Sequence, residues 1–234
     1  MQTVATSSFW VVLGEHNTTT SSETNLTLRM EVEKIVVHTN KIGNPDQVDI
    51  ALIKVKGIID LNIYTPICLP DADFNVRKTD VILAGILKLY LLSMEGALRS
   101  ILSSSDTSGW GLVDCPDPET NPYCSGGSGA ASLQVISLPV ASNSVCKASI
   151  GNYGRGKVFC WGGQAGHSGC FGDSGSPLMA VTDTGRHILA GSVMGGTGPG
   201  CGGAGTWGLA WEAAVYRDWY MAEAGGEDVT WCSA

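Results

Sequence analysis

Short apolar or alternating runs, each closed by Gly, Asn or Asp, recur along this chain and commit it to antiparallel sheet. The runs are Phe9 to Leu13, Leu26 to Val37, Ile50 to Val55, Ser132 to Leu138, Lys157 to Trp161, Pro177 to Val181, Ile188 to Val193 and Thr206 to Trp211. Thirty-one glycines supply the turns. Glu212 to Ala222 reads instead as a C-terminal helix, with Val215, Trp219 and Met221 as its apolar contacts. A length of 234 residues and 44% hydrophobic content suit one domain with a sizeable core. No internal repeat is present. The region 111–131, with Gly126-Gly127-Ser128-Gly129, reads as an exposed loop. A net charge of −8 argues against nucleic acid and against anionic membrane surfaces as partners.

The octet Cys170-Phe171-Gly172-Asp173-Ser174-Gly175-Ser176-Pro177 points to chemistry rather than packing. Glycine on each side of the Asp-Ser pair lets the backbone take strained angles and approach a ligand. Inward-facing amides of Gly172 and Ser174 would then bind a developing oxyanion, and the Ser174 hydroxyl would stand at the reacting carbon. The alternative is a Gly-rich surface turn.

Upstream segments decide between them. Asp49-Ile50-Ala51-Leu52-Ile53, Cys68-Leu69-Pro70 and Gly109-Trp110-Gly111, in that order before the octet, resemble landmarks of the trypsin/chymotrypsin-like serine proteases. Val12-Leu13-Gly14-Glu15-His16-Asn17 and Tyr216-Arg217-Asp218-Trp219 are similar to that family's early barrel strand and closing helix. The resemblance covers residues 9–78 and 105–222. It implies an all-β fold of two packed antiparallel Greek-key barrels, six strands each, with the first barrel incomplete and a C-terminal helix. The chain is read as one domain, with a partial N-terminal barrel at 9–78, an insertion at 79–104, a second barrel and helix at 105–222, and a tail at 223–234. The resemblance further implies that Asp49 is the carboxylate of a serine triad and Ser174 its nucleophile.

The chain departs from the family pattern in three places. A triad needs a histidine to take the hydroxyl proton, and in the family it precedes the aspartate by roughly 45 residues. The corresponding residues Met1 to Phe9 hold none, and His16, His38, His167 and His187 are out of register. The family carboxylate matched by Asp173 pairs with an amino terminus freed on activation, and no such segment is seen. Asp173 is therefore expected in a zymogen-like, loosely ordered site. Between 79 and 104 the run Val81 to Leu92 is apolar except for Lys88. It is shorter than the roughly 20 residues a membrane span needs, and is read as a packed helical insertion or as translated intron. Together with the absence of a signal peptide, these departures suggest a chain whose true start is lost.

The resemblance also suggests disulfides. Cys146 with Cys160 and Cys170 with Cys201 match bridged pairs of the family. Cys115 and Cys124 enclose a turn-rich loop that a local bridge would staple. Cys68 and Cys232 either pair with each other or leave Cys68 without a partner. Eight cysteines and the sequons at Asn17 and Asn25 fit a secreted glycoprotein. No Cys-x-x-Cys or Cys/His cluster has ligand spacing, so neither a metal nor a cofactor is expected. The resemblance implies a pocket floor at Ser168, six residues before Ser174, with Gly196 and Gly208 on the walls. Serine rather than a carboxylate at that floor favours an apolar or aromatic side chain over Arg or Lys. Met194 and Gly195 replace the serine and tryptophan the family usually has there.

Two functions follow. One is a serine endopeptidase acting on protein or peptide substrates and open to protein inhibitors. The other is a catalytically inactive homologue that uses the cleft as a protein-binding surface.

Overall fold

The computed structural model describes residues 2–3, 9–20, 25–38, 48–78, 80–84, 110–113, 121, 124–151, 154, 157–198 and 200–225. Ten strands and two short helices lie within them. They are β1 (Gln2–Thr3), β2 (Trp10–Leu13), β3 (Leu28–Val37), β4 (Ala51–Val55), β5 (Asp80–Ala84), β6 (Val135–Pro139), α1 (Asn143–Ile150), β7 (Val158–Gly162), β8 (Pro177–Val181), β9 (His187–Gly196), β10 (Trp207–Glu212) and α2 (Arg217–Ala224). A 3₁₀ turn, Ala213–Tyr216, leads into α2.

β3 organises a four-stranded antiparallel sheet. Its first half pairs with β2, and its second half pairs with β4 and β1. The alternation of Met30 and Val32 with Glu31 and Glu33 buries one face and solvates the other. On the wet face Lys54 pairs with Glu33 at 2.8 Å and Lys56 with Glu31 at 2.6 Å. Phe9, Val11, Val32 and Ile35 fill the dry face.

The second sheet has six antiparallel strands in the order β6-β5-β8-β9-β10-β7. A bridge from Val140, just past β6, to Trp161 in β7 joins its two ends. The sheet thus closes into a barrel, which leaves no edge open along that seam. Val81, Leu83, Leu138, Phe159, Trp161, Leu178 and Ile188 fill it. The architecture is the expected trypsin-like one: curled antiparallel sheets and a short C-terminal helix.

Three local features differ from the sequence expectations. The segment read as an insertion opens with β5, an interior strand that pairs with both β6 and β8; residues 85–109 lie outside the described residues. α1 had no expected counterpart. Its start is fixed by Ser142, whose hydroxyl accepts the Val145 N–H at 3.4 Å. Cys146, its one buried residue, is bridged to Cys160 of β7. A further strand, β1, pairs its two residues with Val36 and Val37 at the end of β3.

Cross-links fix the two sheets against each other. The Trp110 indole donates to the His16 carbonyl at 2.9 Å, and the Leu133 N–H does so at 2.8 Å. The Thr18 N–H reaches the Ala131 carbonyl at 2.9 Å. Arg77 Nη1 bonds both carboxylate oxygens of Glu212, at 2.9 and 3.2 Å, and Glu212 is buried. No helix among the described residues is long and apolar enough to cross a membrane.

Candidate active site

The octet forms a tight loop between the Cys170–Cys201 bridge and β8. Asp173 N–H donates to the Cys170 carbonyl and Ser176 N–H to the Asp173 carbonyl, each at 3.0 Å. The loop is then stitched to β9 by Gly175 N–H to the Val193 carbonyl at 2.7 Å and Val193 N–H to the Ser176 carbonyl at 2.9 Å. Gly172 and Gly175 have φ of 97° and 86°, a region closed to most side chains. Between them Ser174 is pushed outward and is exposed. Its hydroxyl, and the amides of Gly172 and Ser174, take part in no hydrogen bond among the described residues.

Asp173 turns the other way. Its carboxylate accepts the Cys170 N–H at 2.8 Å and the Gly111 N–H at 3.0 Å. Burial pushes its carboxyl above the ordinary carboxylate range, and the two backbone bonds pull in the opposite direction. A Cβ on Gly111 would overlap the Asp173 carboxylate, so a larger residue there would displace it. The carboxylate thus sits in a cradle of two backbone N–H groups.

A cleft of about 290 Å³ opens beside Ser174. Ser168, Gly196 and Gly208, the three residues assigned to the substrate pocket, line it together with Ser174. Gly172 and Asp173 are not on its lining. Two residues the sequence did not single out for this site, Trp161 and Trp207, also line it. Trp161 stands opposite Gly208 across the β7–β10 ladder. Met194 on β9 lines the cleft as well and carries no group to hydrogen-bond a carboxylate.

Asp49 lies at the entry to β4 in the other sheet, exposed between buried Val48 and Ile50. Those two neighbours pack in one cluster with Trp211 and Tyr216, and Met194 and Trp207 of the cleft border the same cluster. Partial desolvation raises the Asp49 carboxyl above its ordinary value.

None of the four histidines hydrogen-bonds to Ser174. The His38 N–H donates to the Ile50 carbonyl at 3.0 Å, and its ring packs edge-on against Tyr216 and Trp219. Burial, then the Lys157 charge, lowers its pKa, against a smaller opposing pull from Glu223. His167 is exposed, with Nδ1 at 3.1 Å from the Ala165 carbonyl. His16 is used through its carbonyl, and His187 is an exposed first residue of β9.

Cys68 and Cys124 are also disulfide-bonded. Their partners lie outside the described residues, as do Cys115 and Cys232. Cys124 Sγ stands 3.8 Å from Cys170 Sγ and 3.7 Å from Cys201 Sγ, so two bridges stack behind the cleft. Of the sequons, Asn25 is exposed, whereas the Asn17 side chain is held by Ser132 at 3.4 Å and by Thr19.

A family profile described as Trypsin matches residues 2–88 and 95–220. The chain is 30% identical over 200 residues to the Canis lupus familiaris protein "Chymotrypsin-like elastase family member 1", covering 84% of this chain and 64% of that one. It is 29% identical over 220 residues to "Trypsin-1" of Astacus astacus, covering 92% and 75%. It is also similar, at 27% over 214 residues, to the Anopheles gambiae "Inactive CLIP domain-containing serine protease A28", covering 88% and 47%. The chain thus spans about half to three quarters of the length of these relatives.

Proposed function

The chain belongs to the trypsin family of serine proteases, and on that premise we propose that it is a serine-type endopeptidase domain whose acyl-enzyme forms on Ser174. One observation carries this reading: an exposed Ser174, flanked by positive-φ glycines, at the edge of a cleft shared with Ser168, Gly196 and Gly208. Ser174 Oγ attacks the scissile carbonyl carbon as a base removes its proton. The carbonyl oxygen becomes an oxyanion held by the Gly172 and Ser174 N–H groups. The amine departs with the proton, and water then releases the acyl group from Ser174. Asp49 is assigned the orienting of the base histidine, for which the 234 residues offer no candidate in register. No carboxylate among the described residues lines the cleft, so an apolar side chain is favoured before the scissile bond. Paired cysteines and the exposed Asn25 agree with secretion and glycosylation, and protein substrates and inhibitors are the partners this reading implies.

The base is the open part of the reaction. None of the four histidines bonds to Ser174, so the 234 residues alone are expected to turn over at a residual rate, about a million-fold below a complete triad. The same hydroxyl, without a partner among the described residues, with Met194 in place of a hydrogen-bonding residue, favours a second reading: an inactive homologue that binds proteins through the cleft. Hydrolysis and equilibrium binding of a mixed peptide library, measured on the chain and on Ser174→Ala, separate the two. Hydrolysis well above that residual rate, and lost in the variant, supports the endopeptidase. Tight binding without hydrolysis, retained in the variant, supports the homologue. Neither binding nor hydrolysis would sink both.

A further inference from the structure

Trp161 is part of the cleft lining and lies against two of its glycines. It stands opposite Gly208 in the β7–β10 register. A Cβ on Gly208 would run into the six-membered ring of its indole. On another side of the indole, a Cβ on Gly169 would come within 2.8 Å of Trp161 Cη2. Both glycines line the cleft, as does Trp161 itself. The indole therefore fills the space that two absent side chains leave free, a cross-strand aromatic–glycine pair. Ala210, two residues past Gly208 on the same face of β10, is fully buried and small, and belongs with Trp161 to the barrel core. The ring cannot swing aside for a ligand. It is 1% exposed and packed among core residues, and moving it would empty part of the barrel.

We propose that Trp161 closes the depth of the Ser174 cleft, so that the side chain it accepts is a small aliphatic one such as Ala or Val. This rests on the reading of the cleft as the substrate pocket. It narrows the apolar-or-aromatic expectation to its small end. A ring reaching down between Gly208 and Gly169 would overlap the indole. Ser168 adds a hydroxyl on the lining and no charge. Val193, buried on β9, adds an apolar wall.

The test is equilibrium binding of N-acetyl tripeptides ending in Ala, Val, Leu or Phe, by titration calorimetry, to the native chain and to Trp161→Leu and Trp161→Phe. Circular dichroism reports whether each variant is folded. The native chain should bind the Ala and Val peptides about tenfold more tightly than the Phe peptide, the scale of one poorly fitting group in an apolar pocket. Trp161→Leu should gain about tenfold for the Phe peptide, with Trp161→Phe between the two. Equal binding of Val and Phe by the native chain would overturn the proposal, as would an unchanged size order in a folded variant. Should neither variant fold, the size order of the native chain decides. Binding with no size order sinks this inference and leaves the substrate-cleft reading standing. Absence of binding by any peptide sinks that reading, and the inference with it.

Discussion

Asp173 is the residue whose surroundings say most about the state of the loop. Two backbone N–H groups hold its carboxylate, yet burial still raises its pKa above the ordinary value of about 4. A group raised in the folded state favours its protonated form there. Its contribution to stability is full below about pH 4 and is lost as pH rises through the folded value. Denaturant titrations of wild type and Asp173→Asn from about pH 3 to pH 7 should show the stability difference moving against wild type as pH rises. A constant difference would mean that the carboxyl does not titrate differently in the folded chain. Ser174, Ser168, Gly196 and Gly208 were singled out at this scale through the resemblance to the family's motifs, and all four line one cleft. Trp161 was not. Its role comes from standing opposite Gly208, and cross-strand register is set by the whole barrel rather than by residues near 161.

Among the elements, β10 carries the densest set of duties. It pairs with β7 and β9, lines the cleft at Trp207 and Gly208, and ends at Glu212, where Arg77 meets it. Glu212 is 7% exposed in its side chain and Arg77 20%, so solvent screens the pair poorly. Arg77→Ala would leave the carboxylate buried alone, at a cost of about 3–5 kcal/mol. Urea unfolding would measure it, and Arg77→Ala combined with Glu212→Leu should recover much of the loss. A single variant within about 0.5 kcal/mol of wild type would show that the pair carries no such weight. Most strands were legible from alternation and turn residues, Pro177–Val181 to the residue. β5 was not, because a continuous apolar run has no period to separate a buried strand from a helix. α1 escaped for the opposite reason, having a single buried side chain and little pattern to read.

For the whole molecule, the contrast lies between a barrel that closes and a smaller sheet that depends on it. β8, β9 and β10 have partners on both sides and buried side chains along their length. β1 is two residues long. Native-state hydrogen exchange should be slowest in β8 to β10 and faster by orders of magnitude in β1 and β2. Equal protection throughout would indicate a single cooperative unit. The sulfur stack behind the cleft adds a consequence of its own. Three separated stretches of chain, at 124, 170 and 201, meet within van der Waals reach and are each covalently tied. The cleft walls are thus riveted before any ligand arrives, so little ordering entropy is spent on association. Recognition here works by exclusion: a side chain that does not fit meets a wall that will not give way.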